Sequence, residues 1–179
     1  SNYSELIAQK AAQIEQKVID WRHDIHQNPE LGNREVRTAA LIAKHLQSLG
    51  IEVKTCVAIT GVVGILKGDK PGPVIALRAD MDALPVIDNN YLPFASKVKT
   101  TYNGKETGVM HACGHDGHVA MLLGAAQLLQ ARRAELRGTV KLCFQQAEER
   151  GGGTAEMLDH LRAFPLISAF AIHLWSELD

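Results

Sequence analysis

Helical and β-type periodicity alternate along this chain, and the alternation limits the folds that it can adopt. Apolar residues recur every three or four positions in three segments, which predicts helices at 4–26, 34–49 and 116–132, and a fourth helix is expected at 154–162. Short β-rich segments predict strands at 52–56, 61–66, 74–78, 139–144 and 169–175, the last of them buried. This order predicts an α/β fold in which helices sandwich a mixed β-sheet.

The connections between these segments differ in length and chemistry. Residues 67–73 are rich in glycine and proline, which favours a hairpin between the second and third strands. Residues 86–110 show no period and predict a long surface excursion of the kind that often carries function. With 179 residues the chain is long enough for one core, so we expect a single domain at 1–179 and no second domain.

Composition excludes several classes of protein. The net charge of −1 gives no electrostatic footprint for nucleic acid or an anionic membrane surface, and no apolar run is long enough to cross a bilayer. The three cysteines Cys56, Cys113 and Cys143 are too few and scattered for a disulfide framework. Free thiols fit a reducing compartment, so we expect a cytoplasmic protein.

The segment from Cys113 to His115 is the first candidate site. Both residues lie in a glycine-containing loop before a predicted helix, so both side chains could reach one metal ion. The positive end of that helix, together with a nearby cation, would keep Cys113 as a thiolate. The alternative is a buried cysteine beside a helix-capping Asp116.

Three further positions offer carboxylate or imidazole groups after predicted strands. Glu148 and Glu149 are adjacent, so one could bind a metal while the other acts as a general base, although surface pairs of this kind are common. His173 lies in an apolar strand, where a histidine is more often a core residue than a ligand. Asp80 and Asp82 either orient ligands or cap a turn. We expect the remaining candidates to be structural or exposed: His23, His26, His45 and His160.

Five motifs together resemble a known family. The resemblance is to the aminoacylase and hippurate-hydrolase branch of the dinuclear metallocarboxypeptidase (carboxypeptidase G/aminoacylase) clan, whose fold is that of zinc-dependent exopeptidases. The motifs are RHDIH at 22–26 with PEL at 29–31, RADMDALP at 78–85, MHACGHDGH at 110–118, FQQAEE at 144–149 and IHLW at 172–175.

The resemblance implies a specific site and reaction. Cys113, His115, Glu149 and His173 would hold a pair of divalent ions, with zinc or manganese expected and cobalt or nickel as alternatives. Glu148 matches the general base, which would take a proton from a water molecule activated by the metals. Asp82 matches the clan's orienting aspartate, and the role of Asp80 stays open. The implied substrates are N-acyl amino acids or small peptides.

The sequence also departs from the family. Gln146 and Ser176 stand where prolines are frequent, and Arg150 stands where small residues are common. Family chains are longer, with a lid or dimerisation domain and a segment that supplies a fifth ligand, a histidine absent here. We therefore expect the N-terminal portion of a catalytic domain, with weak or no activity alone and an open oligomeric state. Two alternatives remain: a non-catalytic metal-binding or interaction module, and a cysteine hydrolase with Cys113 as nucleophile.

Overall fold

The computed structural model describes residues 2–162 and 166–175. Its elements alternate in the predicted way. The four helices are α1 (Tyr3–Gln27), α2 (Val36–Ser48), α3 (His115–Ala131) and α4 (Thr154–Arg162). The strands are β1 (Glu52–Val57), β2 (Gly61–Lys67), β3 (Lys70–Asp80), β4 (Lys99–Tyr102), β5 (Lys105–Gly108), β6 (Arg137–Gln145) and β7 (Leu166–Ala171), with a short 3-10 helix at Glu148–Arg150.

The main sheet is mixed, which confirms the predicted fold class. Its strand order is β1-β2-β6-β3-β7, with antiparallel pairs on the β1 side and parallel pairs from β6 to β7. A large core lies on one face, where Leu142 and Phe144 of β6 pack with Ile42 and Leu46 of α2 and with α3. A smaller core under α4 covers the other face. The sheet is therefore a layer between helices, as sequence periodicity indicates.

The predicted hairpin at residues 67–73 is wrong. Strand β6 lies between β2 and β3, so these consecutive strands do not pair with each other. The glycines of this turn allow a close approach to the start of β6: a Cβ on Gly68 would lie 2.1 Å from the carbonyl oxygen of Leu136, and one on Gly72 2.8 Å from the nitrogen of Gly138. Turn chemistry predicted the chain reversal but not the partner of each strand.

The last strand, β7, also differs from the buried strand predicted at 169–175. β7 ends at Ala171, before His173, and among the described residues it pairs with β3 alone. Its side chains are exposed rather than buried, with Ile167 66% and Phe170 57% accessible. An apolar strand at a sheet edge has the same composition as a central strand, so the sequence did not distinguish them.

The excursion at 86–110 contains one regular element, the β4–β5 hairpin, joined by the turn at Asn103 and Gly104. None of the helices in the described ranges combines the length and the apolar character needed to cross a bilayer.

The central strand β6 provides a test of the core. Leu142 is fully buried there, so Leu142→Ala should lower the free energy of unfolding by about 2–5 kcal/mol through lost contacts and a cavity. Ile7 is 62% exposed on α1, and Ile7→Ala should change it by less than about 0.5 kcal/mol. Urea unfolding measures both; equal effects would contradict the assignment of Leu142 to the core.

Candidate metal centre

The parallel half of the sheet positions the candidate residues. Strands β3, β6 and β7 run in one direction, with Asp80 opposite Gln145 and Arg78 opposite Ala171. The residues that follow these strands therefore emerge at one edge of the sheet, where α/β proteins commonly bind ligands. Asp82 follows β3, Glu148 and Glu149 follow β6, and His173 follows β7. The start of α3 brings Cys113 and His115 to the same edge.

His115 lies at the centre of this group. Its side chain is fully buried, and Nδ1 is 2.8 Å from the backbone carbonyl oxygen of Asp82. Because a carbonyl oxygen only accepts hydrogen bonds, Nδ1 must carry a proton. In the neutral form of the ring the lone pair is then on Nε2, which lies 3.4 Å from Asp80, 3.6 Å from Glu149 and 3.8 Å from Glu148. The three carboxylates that face Nε2 favour a positive charge at this position.

Cys113 and His173 form the second part of the group. The Cys113 sulfur is 3.6 Å from Nε2 of His173. Nδ1 of His173 donates to the carbonyl oxygen of Leu174 at 2.7 Å, which leaves the lone pair on Nε2 facing the sulfur. Donor atoms of Cys113, His115 and His173 all lie within 4.8 Å of one another.

The residues present fit a divalent cation. Sulfur, imidazole and carboxylate donors form the set that zinc prefers. Nε2 of His115 is buried and has no hydrogen-bond partner among the described residues, although carboxylates face it. A proton on Nδ1 that bonds a carbonyl oxygen is also the usual way to orient a ligating histidine.

Without a bound cation, the Cys113 thiol is a weak acid. Burial, followed by the negative charges of Glu149, Glu148 and Asp80, raises the pKa of the Cys113 thiol to about 12. The positive end of α3 therefore does not hold a thiolate by itself. A bound cation must supply that stabilisation, since metal ligation by cysteine requires loss of the thiol proton.

The two glutamates are held by the turn after β6. The backbone N–H of Glu149 donates to Oδ2 of Asp82 at 3.0 Å, which ties this turn to the end of β3. The Glu148 side chain is 38% exposed and that of Glu149 24%. Glu148 is thus the more accessible of the two. The structure brings all five predicted site residues together, and their roles as four ligands and a base stay predictions.

His118 belongs to this group but had no role in the sequence interpretation. Its Nε2 accepts the backbone N–H of Leu174 at 2.9 Å, so the proton lies on Nδ1, which donates to Oδ1 of Asp80 at 2.5 Å. Both nitrogens are engaged, which makes His118 a poor ligand and a good support for the segment around His173. It lies three residues after His115 on the same helix, and that spacing was the available signal.

Asp80 accepts the hydrogen bond from His118 and also lies beside other charged groups. Burial opposes its ionisation, but the hydrogen bond from His118 and the charges of His115 and Arg78 hold the pKa of Asp80 below its ordinary value. It is a buried carboxylate between Arg78, at 3.1 Å, and the two histidines.

Asp116 does not cap α3, contrary to the alternative interpretation of this loop. Gly114 is the capping residue, and the Asp116 carboxylate binds His26 at 2.8 Å and Arg22 at 2.9 Å on α1. His26 is structural, as expected, but deeply buried, and its second nitrogen lies 3.2 Å from Asp88. The hydrogen bond that His26 donates to Asp116 is the main cause of the raised pKa of His26. These contacts fix the start of α3, and hence His115, against α1.

The other helical histidines lie away from the site. His23 stacks on Phe94 with ring centroids 3.8 Å apart, and His45 packs edge-on against Trp21 at 4.5 Å. Burial lowers the pKa of both His45 and His160. The expectation that these residues are structural agrees with their contacts.

Comparison with known families agrees with this geometry. The family model described as peptidase family M20/M25/M40 matches residues 76–178, which include Cys113, His115, Glu148, Glu149 and His173. The chain belongs to this peptidase family. The resemblance found from five sequence motifs is thereby confirmed.

Two curated relatives are named for different activities. Thermostable carboxypeptidase 2 of Saccharolobus solfataricus is 47% identical over 92% of this chain and 41% of its own length. N-acetylcysteine deacetylase of Bacillus subtilis is 46% identical over 80% of this chain and 36% of its own. The chain thus spans less than half the length of the curated relatives it matches.

A solved structure gives the same result for the fold. The YXEP protein of Bacillus subtilis, described as a dinuclear metal binding peptidase from the M20 family, superposes with a TM-score of 0.83. It is 42% identical, and the match covers 93% of this chain and 45% of that one.

Zinc binding through Cys113 can be measured as stabilisation. If zinc binds the folded chain, a free concentration about 100 times Kd should raise the free energy of unfolding by about 2.7 kcal/mol. Cys113→Ser should lose most of this gain, because it removes the sulfur donor. The exposed Cys56 provides the control, and Cys56→Ser should keep the full gain. A zinc-dependent increase of equal size in both variants would remove Cys113 from the site.

Proposed function

We propose that this chain carries the metal site of an amidohydrolase that cleaves the amide bond of N-acyl amino acids or small peptides. The observation that supports it best is the convergence of Cys113, His115 and His173 within 4.8 Å, with Glu148 3.8 Å from Nε2 of His115. Membership of the M20 family supports the same assignment.

Four residues are proposed as ligands: Cys113, His115, Glu149 and His173. We expect zinc or manganese first, with cobalt or nickel as alternatives, because the donor set mixes sulfur, nitrogen and oxygen. The description of the YXEP protein as dinuclear supports a pair of ions in the complete site. Divalent ions there would polarise the substrate carbonyl and lower the pKa of a water molecule.

Glu148 is proposed as the general base. Its side chain is partly exposed beside the ligand group, so its carboxylate can reach both solvent and a substrate bound at the edge of the sheet. It would accept a proton from the attacking water and then donate that proton to the leaving amine. His115, held by Asp82, cannot take this role while its free nitrogen serves as a ligand.

The named activities of the relatives guide the proposed substrate class. One relative is named a carboxypeptidase and another a deacetylase of N-acetylcysteine, and both names describe cleavage of an amide bond next to an amino acid. We propose a small-molecule substrate of this kind, without a nucleic-acid or membrane partner, and leave oligomerisation open. The three free cysteines fit a reducing compartment, and we propose the cytoplasm.

One contact favours a second candidate, a cysteine hydrolase. The sulfur of Cys113 lies 3.6 Å from Nε2 of His173, as in a nucleophile and base pair. Burial and the surrounding carboxylates, however, raise the pKa of this thiol to about 12, which opposes a free thiolate. The pair also gives Glu148 and Glu149 no role. Inhibition by a chelator that added zinc reverses would exclude this mechanism.

Glu148→Gln tests the proposed base. With zinc loaded and an N-acetyl or N-benzoyl amino acid as substrate, we expect kcat to fall by about 10²–10⁴-fold, because the amide cannot accept the proton. Zinc affinity should stay close to that of the parent chain. Glu149→Gln is the matched control and should lose zinc affinity instead.

The outcomes separate the hypotheses. An unchanged hydrolysis rate in Glu148→Gln would contradict the base assignment. Stoichiometric zinc without turnover of any acyl amino acid by the parent chain would favour the non-catalytic metal-binding module. Absence of zinc binding by the parent chain would overturn the metal site itself.

A further inference from the structure

Glu35 is a buried carboxylate that the proposed chemistry does not use. It stands immediately before α2, with no accessible surface. Burial of a carboxylate is unfavourable unless the protein supplies hydrogen bonds to it. Burial raises the pKa of Glu35, whereas hydrogen bonds from Thr60 and from the backbone of Ala147 oppose that shift.

Helix capping does not explain Glu35. Its side chain makes no capping hydrogen bond to α2. The first N–H groups of that helix are instead satisfied by Glu30, whose carboxylate accepts from the backbone of Arg37 at 2.9 Å and of Thr38 at 2.7 Å. The usual role of a polar residue at this position is therefore already filled by another side chain.

The Glu35 carboxylate joins two turns that are distant in sequence. Oε1 accepts the backbone N–H of Ala147 at 2.9 Å, and Oε2 accepts the hydroxyl of Thr60. Thr60 lies in the turn between β1 and β2, and Ala147 lies in the turn after β6. The turn after β6 is thus tied to the start of α2.

Ala147 needs such support. It is fully buried with φ of 52°, in the left-handed region that is unfavourable for residues other than glycine. Its carbonyl oxygen accepts from Gly152 at 2.9 Å and from Arg150 at 3.2 Å. Gly32 also packs on it, since a Cβ at Gly32 would lie 3.0 Å from the Ala147 Cα. A strained residue persists only where its surroundings hold it.

The residues directly after Ala147 are Glu148 and Glu149, the proposed base and ligand. Asp82 holds this turn at Glu149, through the hydrogen bond of 3.0 Å to its backbone N–H. Glu35 holds it at Ala147, two residues earlier. Two carboxylates therefore fix the backbone from which both catalytic-site glutamates project.

We propose that Glu35 is a positioning residue: by holding Ala147 in its left-handed conformation it sets where the carboxylates of Glu148 and Glu149 lie. This inference rests on the proposed metal site. Its effect would reach the site through the backbone of Ala147, which donates a hydrogen bond to the Glu35 carboxylate.

Metal affinity of the 179-residue chain provides the test, with cobalt(II) and zinc as the probes. Glu35→Ala removes both hydrogen bonds and should weaken metal binding by about 10–100-fold, the usual range for residues that orient ligands. It should also change the cobalt absorption spectrum, because Glu149 moves relative to Cys113. Glu35→Gln should restore both properties, since its amide oxygen can accept from Ala147 and its NH₂ group can donate to Thr60.

A control variant must separate a loss of metal affinity from a general loss of stability. Ile42→Ala creates a cavity on α2, where Ile42 is fully buried in a core cluster that includes no residue of the turn at 147–149. Urea unfolding of the metal-free variants compares it with Glu35→Ala. The control should keep the metal affinity and cobalt spectrum of the parent chain despite its lower stability.

Each result decides a different question. If the parent chain binds neither metal, the proposed metal site fails first. If the parent binds and Glu35→Ala binds equally well with an unchanged cobalt spectrum, the role of Glu35 is wrong. If Ile42→Ala loses affinity as Glu35→Ala does, or Glu35→Gln gives no rescue, the effect is general destabilisation and the positioning role is overturned.

Discussion

The hydrogen bond from Nδ1 of His115 to the carbonyl oxygen of Asp82 determines the chemistry at this edge of the sheet. At 2.8 Å it fixes the ring and directs Nε2 toward three carboxylates. If the ring were turned, Nε2 would no longer face these carboxylates, and the proposed metal site would lose its central donor. The nearby thiol depends on the same arrangement, because its pKa of about 12 favours the neutral form unless a cation is bound.

The rest of the fold supports this bond from several sides. On α1, His26 and Arg22 bind Asp116, which follows His115 directly. His118 links Asp80 to the backbone of Leu174 and so connects the end of β3 with the segment of His173. Each support is buried or half-buried, where hydrogen bonds to charged groups are strongest. The donors are thus positioned by hydrogen bonds as well as by the backbone.

Much of this arrangement could be predicted from sequence because it depends on local pattern. The apolar spacing of α2 and α3 predicted both helices, and the motifs at the start of α3, after β6 and after β7 predicted the five site residues that the fold brings together. Pairing of strands is a non-local property, so the turn at 67–73 suggested a hairpin although β6 separates β2 from β3. The exposure of β7 depends on its place at the sheet edge, which its apolar composition does not encode. Asp116 and Glu35 stand where helix caps are common, and only tertiary contacts show that they bind elsewhere.

X-ray absorption at the zinc edge tests the central claim most directly. The zinc-loaded chain should show one sulfur at about 2.3 Å together with nitrogen or oxygen donors at about 2.0–2.2 Å. In Cys113→Ser the sulfur shell should disappear. A zinc site in the parent chain surrounded only by nitrogen and oxygen, or a sulfur shell that persists in Cys113→Ser, would contradict the account.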